Sequence, residues 1–420
     1  MNKSSHNSEA SPNGGASKQN NTELDCENIH DLQAAANRQE SLRAGSWMVL
    51  LLGILFFVVV AGGTVRLTNS GMSIPEWPVI YYGEGKTKPG LLPPFFSEAK
   101  WEVARQTYHR DYIDVTTPGR EIQMPQFKRE FLIEYAHRFV VTLFGIFFLA
   151  VITMIARSAH LRGLVGQLLT YAILLLAIQI VLGGKVVINH THPLFVSVHL
   201  MTAFTFISMM LWITLRLLRG VPDVTPAYQR SSSFKYTVIA VGLCAIQIFF
   251  GGLMAKTGAG KSYNQWPELG ERIIPPFAAL WNETLEPVIN NFSQNLILIQ
   301  FIHRWTAFLV LGAIAVLALK LITKPLTQGG RFALRATMFM VFFQILLGIV
   351  TLLEAVPFSL GLLHLATGLV LFELLIFLTF EVRTNASIAI YEQELLKKRS
   401  WEDDPEFELE AQAARISEVN

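Results

Sequence analysis

Eight runs of mostly apolar residues, Trp47–Val65, Phe131–Ile155, Leu164–Gly184, Pro193–Leu215, Tyr236–Ala255, Asn295–Leu319, Phe332–Leu353 and Val356–Phe380, constrain this chain more than any other feature. Each can cross a hydrocarbon core of about 30 Å as a helix, which satisfies its backbone polar groups without water. Composition agrees, since 51% of the 420 residues are hydrophobic and 16% charged, unlike a soluble enzyme. A net charge of +2 points away from nucleic acid as a partner. Cys26 lies in a polar segment and Cys244 in an apolar run, so neither a disulfide framework nor a CxxC site is available.

Basic residues set the expected orientation. Arg157 and Arg162 follow the second run, Arg216, Arg219 and Arg230 the fourth, Lys320, Lys324 and Arg331 the sixth, and Arg383, Lys397, Lys398 and Arg399 the eighth. The positive-inside rule places these ends and both termini in the cytoplasm, and the long loops 66–130 and 256–294 outside. Residues 1–43, rich in Ser, Asn, Gln and Ala, read as a disordered cytoplasmic tail. The acids Glu9, Glu23, Asp25, Glu27 and Asp31 argue against a mitochondrial presequence, so a bacterial cytoplasmic membrane is expected.

Ionisable residues within apolar runs are costly and point to function. Glu134-Tyr135-Ala136-His137-Arg138 opens the second run and Gln300-Phe301-Ile302-His303-Arg304 the sixth. Each has a histidine partner two spans later, His199 for His137 and His364 for His303, at spacings that differ by a single position. Aligning on these histidines also matches Gln179 with Gln344 and Gly183 with Gly348, both 165 apart. Earlier in each half, Gly62-Gly63 matches Gly251-Gly252, and Ser73–Pro78 matches Ser262–Pro267, both at an offset of 189. The expected fold is therefore an all-α polytopic membrane protein of eight helices, arranged as two pseudo-symmetric four-helix bundles from an internal duplication. The first half covers 44–220 and the second 221–383, with a cytoplasmic tail at 384–420.

A single histidine in a span is commonly a core residue bonded to a carbonyl. Four in two matched pairs suit axial ligation of haem iron, because haem brings four nitrogens and needs only two more ligands. Zinc or copper would ask for further Cys, His or carboxylate groups at each pair. Arg138 and Arg304 follow the ligand candidates and are placed either to pair with haem propionates or to snorkel to the headgroups. Gly183, Gly184, Gly348 and Gly368 permit close approach of a macrocycle or of a helix. Trp77 and Trp266 read as interfacial anchors. Glu134 occurs in one half only and, three residues before His137, shares its helix face. It is the catalytic candidate. His190 and His192 lie in a short outer loop without counterparts, where a surface role is the default.

With EYAHR at 134–138, a glycine-rich first span, SIPEWP at 73–78, VSVHL at 196–200 and a degenerate second half, residues 47–380 resemble the haem A synthase family. No cysteine lies between Arg66 and Glu130, which places the resemblance in the cysteine-lacking branch. It implies an enzyme that oxidises the C8 methyl of haem O to the formyl group of haem A by successive hydroxylations, with oxygen from water. It further implies that His137 and His199 hold the substrate haem, while His303 and His364 hold a permanent haem B that passes electrons to an acceptor the sequence does not name. Haem O synthase and cytochrome oxidase assembly factors are the implied partners, and a homo-oligomer is compatible. A dihaem b-type quinol-oxidising protein, or a haem carrier, would use the same ligand pairs but has no evident need for Glu134.

The orientation is testable in spheroplasts. A membrane-impermeant maleimide should label Ser97→Cys from the outside; labelling only after the cytoplasmic face is opened overturns it.

Overall fold

A helix that starts in a membrane must satisfy its first N–H groups locally, and this chain supplies caps at several starts. Ser158 accepts from Leu161 N, Asn295 from Ile297 N and Leu298 N, and Thr327 from Gly330 N. The computed structural model describes residues 16–74, 81–83, 88–90, 97–116, 119–220, 232–324 and 326–402. Its long helices are α1 (Ala16–Leu67), α2 (Glu98–Tyr108), α3 (Met124–Arg157), α4 (Ala159–Ile188), α5 (Pro193–Arg219), α6 (Ser232–Thr257), α7 (Leu296–Leu321), α8 (Gln328–Leu353) and α9 (Phe358–Glu402). Eight of them, all but α2, contain a stretch long and apolar enough to cross a membrane. The chain is a multi-pass, almost wholly helical membrane protein. Among the described residues, a short antiparallel ribbon of β1 (Tyr81–Gly83) and β2 (Lys88–Gly90) in the loop after α1 is the addition to the expected all-α fold.

Two helices run past their expected limits. α1 begins at Ala16, so the polar segment read as disordered is helical from there, and residues 1–15 lie outside the described residues. No Gly or Pro occurs between Gly15 and Gly45, and Ala, Gln, Glu, Leu and Arg are good helix formers. α3 begins at Met124, and its 34 residues extend roughly 50 Å, well beyond a ~30 Å core. Its extra outer turns are held by a second small core of Ile74, Trp101, Tyr108, Ile113, Ile122, Phe127 and Phe131. Trp101 packs edge-on to Phe131 at 5.1 Å and to Phe127 at 6.2 Å.

Packing follows the two halves. α1, α3, α4 and α5 form one ring of neighbours and α6, α7, α8 and α9 a second, while α5 against α6 and α9 against α1 and α5 make the seam. The turns entering α5 and α9 share a rare backbone, with positive φ at His190 and Thr191 and again at Ala355 and Val356. At the seam, a Cβ on Gly63 would collide with Leu365 Cδ2, and one on Gly252 would lie 3.0 Å from Ser197 Oγ. Deeper in the seam, Ser208 donates to Glu373 at 2.7 Å. At the ends remote from the histidines, buried Glu381 of α9 meets Arg219 of α5 and Thr327 before α8.

Candidate functional site

The four histidines project from α3, α5, α7 and α9. His199, His303 and His364 stand near the starts of their helices, whereas His137 lies deeper along α3 because that helix extends outward. All four rings are half-buried. His137 and His199 lie within electrostatic range of each other, as do His303 and His364. Glycines on adjacent helices seat three of the rings. A Cβ on Gly62 would lie 3.2 Å from His137 Cε1, one on Gly251 3.0 Å from His303 Cε1, and one on Gly348 2.9 Å from His364 Cε1. A side chain at these positions would push against the ring.

The second half orients its rings more fully. His303 Nδ1 sits 3.1 Å from the carbonyl of Gln247, and its Nε2 lies 3.4 Å from the side-chain amide of the same residue. His364 Nδ1 sits 3.2 Å from Gln344 Nε2, and Gln344 Oε1 accepts from Thr367 at 2.6 Å. In the first half, Gln179 approaches His199 Nε2 at 3.4 Å. There Nδ1 of both His137 and His199 is buried without a hydrogen-bond partner.

Glu134, Arg138 and Arg304 hold the loops that follow α1 and α6. Glu134 is buried; its Oε2 accepts from Ser73 Oγ at 2.8 Å and Ile74 N at 2.9 Å, and its Oε1 pairs with Arg138 at 2.6 Å. Arg138 also donates to Ile74 O at 2.5 Å. In the second half Gln300 donates to Tyr263 O at 2.7 Å, and Arg304 donates to Glu268 O at 2.8 Å and Gln265 O at 2.7 Å, with its guanidinium over Trp266. Tyr263 is the counterpart of Ile74 in the repeat, so equivalent side chains hold equivalent loop segments. Both arginines thus hold loop backbone as well as standing beside the candidate ligands. The acceptors of the Arg304 Nη atoms are backbone carbonyls 36 or more residues away, which composition does not reveal.

Gly62, Gly251 and Gln344, which the repeat alignment marked only as matched positions, lie against the histidine rings, and Gln247 joins them as a residue that spacing did not single out. Gly368 faces Gln344 at 3.0 Å and so serves helix packing. His192 caps α5 by accepting from Leu194 N, and the ring of His190 lies 6.3 Å from that of Tyr112. Trp77 lies outside the described residues.

Residues 45–376 match the family model described as cytochrome oxidase assembly protein. The chain belongs to that family. Among curated relatives, the haem A synthase of Methylobacterium radiotolerans is 30% identical over 342 residues, covering 80% of this chain and 88% of the relative. That of Mesorhizobium japonicum is 32% identical over 333 residues, covering 77% and 86%. That of Paracoccus denitrificans is 28% identical over 351 residues, covering 79% and 85%. Within the family match lie all four histidines and the loop anchors.

Glu134→Ala should destabilise the protein by about 3 kcal/mol, because it strands the nearly buried Arg138 charge and the Ile74 N–H. Thermal unfolding in detergent measures this. A loss below ~0.5 kcal/mol, the range of inconsequential surface substitutions, would mean that the carboxylate does not hold the loop.

Proposed function

We propose that this chain is a haem A synthase, a membrane enzyme that converts haem O to haem A for cytochrome oxidase assembly. The observation that carries the reading is the donor set. Two histidine pairs stand with each pair within electrostatic range and with three of the four rings against glycines of adjacent helices, and among the described residues no cluster of three or more His, Cys, Asp or Glu forms to hold a bare metal ion. A planar group that supplies its own equatorial nitrogens fits such pairs. The relatives' names point to the same chemistry.

In this reading the enzyme is an oxidoreductase acting on the C8 methyl of haem O by successive hydroxylations. On the same reading, water would supply the oxygen, and the electrons removed from the methyl group would leave through the second half to an external acceptor. His137 and His199 hold the substrate. Their unpartnered Nδ1 atoms leave the rings less tightly oriented, as an exchanging ligand requires. His303 and His364, oriented by Gln247 and Gln344, hold haem B, which when bound supplies one-electron transfer. Glu134, fixed beside the Ser73-Ile74 segment by Ser73, Ile74 and Arg138, is the catalytic candidate: three donors occupy three of a carboxylate's four acceptor sites, and the fourth can orient a water or accept its proton. The two halves derive from a duplication, and the enzyme resides in a bacterial cytoplasmic membrane with both termini inside. It works alongside haem O synthase and oxidase assembly factors and passes electrons to an external acceptor.

Co-expression with haem O followed by chromatography of extracted pigments tests the activity, since an electron carrier or haem chaperone yields no haem A. In cells lacking haem O, the wild type should retain haem B. His303→Ala and His364→Ala should lose most of it, and His137→Ala little. Loss of haem B in His137→Ala with retention in His303→Ala would reverse the halves.

A further inference from the structure

Two cations at the outer seam have no role in the packing described so far. Arg66 lies in the last turn of α1 and Lys256 in the last turn of α6. Arg66 Nη1 donates to Asn69 Oδ1 at 2.9 Å, and Nη2 to the carbonyl of Ala255, its own counterpart in the repeat. Its Nε is buried and has no partner. Lys256 Nζ donates to Thr191 Oγ1 at 2.5 Å. Arg66 interacts electrostatically with Lys256 and with Tyr112 of the outer loop. Among the described residues no carboxylate forms an ion pair with either cation. Two like charges, half-buried among neutral acceptors, repel each other and lose hydration until an anion joins them.

Their position relates them to the histidines. Gly62, which seats His137, precedes Arg66 by one helical turn, and Gly251, which seats His303, precedes Ala255 by one turn. At ~1.5 Å per residue Arg66 therefore lies about 6 Å, and Lys256 about 7.5 Å, outward along the helix axes from the level of those ring contacts. Thr191 and Tyr112 both belong to the first half, whose outer loop is the longer.

We propose that Arg66 and Lys256 form a carboxylate-binding site for the acidic side chains of the macrocycle held by His137 and His199, with Tyr112 alongside. This rests on the haem reading above and adds to whatever charge Arg138 and Arg304 offer the same group. A guanidinium beside an ammonium matches a carboxylate in charge and hydrogen-bond geometry. An anionic lipid headgroup offers similar chemistry, and the test separates the two.

The full chain, purified from cells lacking haem O into nanodiscs of zwitterionic lipid, is titrated with protohaem and with protohaem dimethyl ester. Binding is followed by the low-spin absorbance that His137→Ala removes. The wild type should bind the free acid about tenfold or more tightly than the ester. Arg66→Gln and Lys256→Gln should each lose most of that preference while binding the ester as the wild type does, and Arg66→Lys should restore part of it. Equal wild-type affinity for acid and ester, or an undiminished preference in both Gln variants, overturns the site. If instead the wild type shows no preference and phosphatidylglycerol stabilises it but not the Gln variants, the anion is a lipid and the proposal fails. Absence of any His137-dependent low-spin band with either probe in the wild type sinks the haem reading and this site with it.

Discussion

The sites depend on how closely α1 approaches α3 and α6 approaches α7. Glycine sets that distance. Gly62 leaves room for the ring of His137, while its neighbour Gly63 lets Leu365 of the other half come against the same helix. Gly251 and Gly252 repeat the arrangement with His303 and with Ser197 and Leu200. One dipeptide therefore places a histidine ring on one side of a helix and the seam between halves on the other. Enlarging either glycine would force rings or helices apart, at a cost of about 1–3 kcal/mol.

Lipid removes most of the hydrophobic drive for helix association, so small residues and polar contacts must hold such a bundle together. Ser208 and Glu373, which join α5 to α9, stand 165 residues apart and occupy equivalent positions of the two halves. Arg66 reaching Ala255 is a second contact between equivalent positions. The halves differ where function would require it. Gln247, Gln344, Thr306 and Thr367 brace the second pair of histidines, whereas the first half adds a folded outer loop and a carboxylate fixed at Glu134.

The spans and the histidine pairs were legible in sequence because both are periodic signals: apolar runs of membrane length, and ligands recurring at near-constant spacing. The outer turns of α3 were not legible, since Trp101, Tyr108 and Phe127 are scattered through a polar loop and form a core only once folded. The partners of Arg138 and Arg304 were hidden for a related reason. They include main-chain carbonyls of distant segments, and a carbonyl has no residue type to recognise. Glu134 stood out as the asymmetric acid, but its three donors could be identified only after Ser73 and Ile74 were brought beside it.

Everything proposed about function requires that each histidine pair hold one iron axially. The most direct test is the electron paramagnetic resonance spectrum of the oxidised, haem-loaded protein. Low-spin ferric signals from both sites are expected, one of them lost in His303→Ala. A spectrum dominated by high-spin ferric haem in the wild type would contradict axial ligation by the pairs.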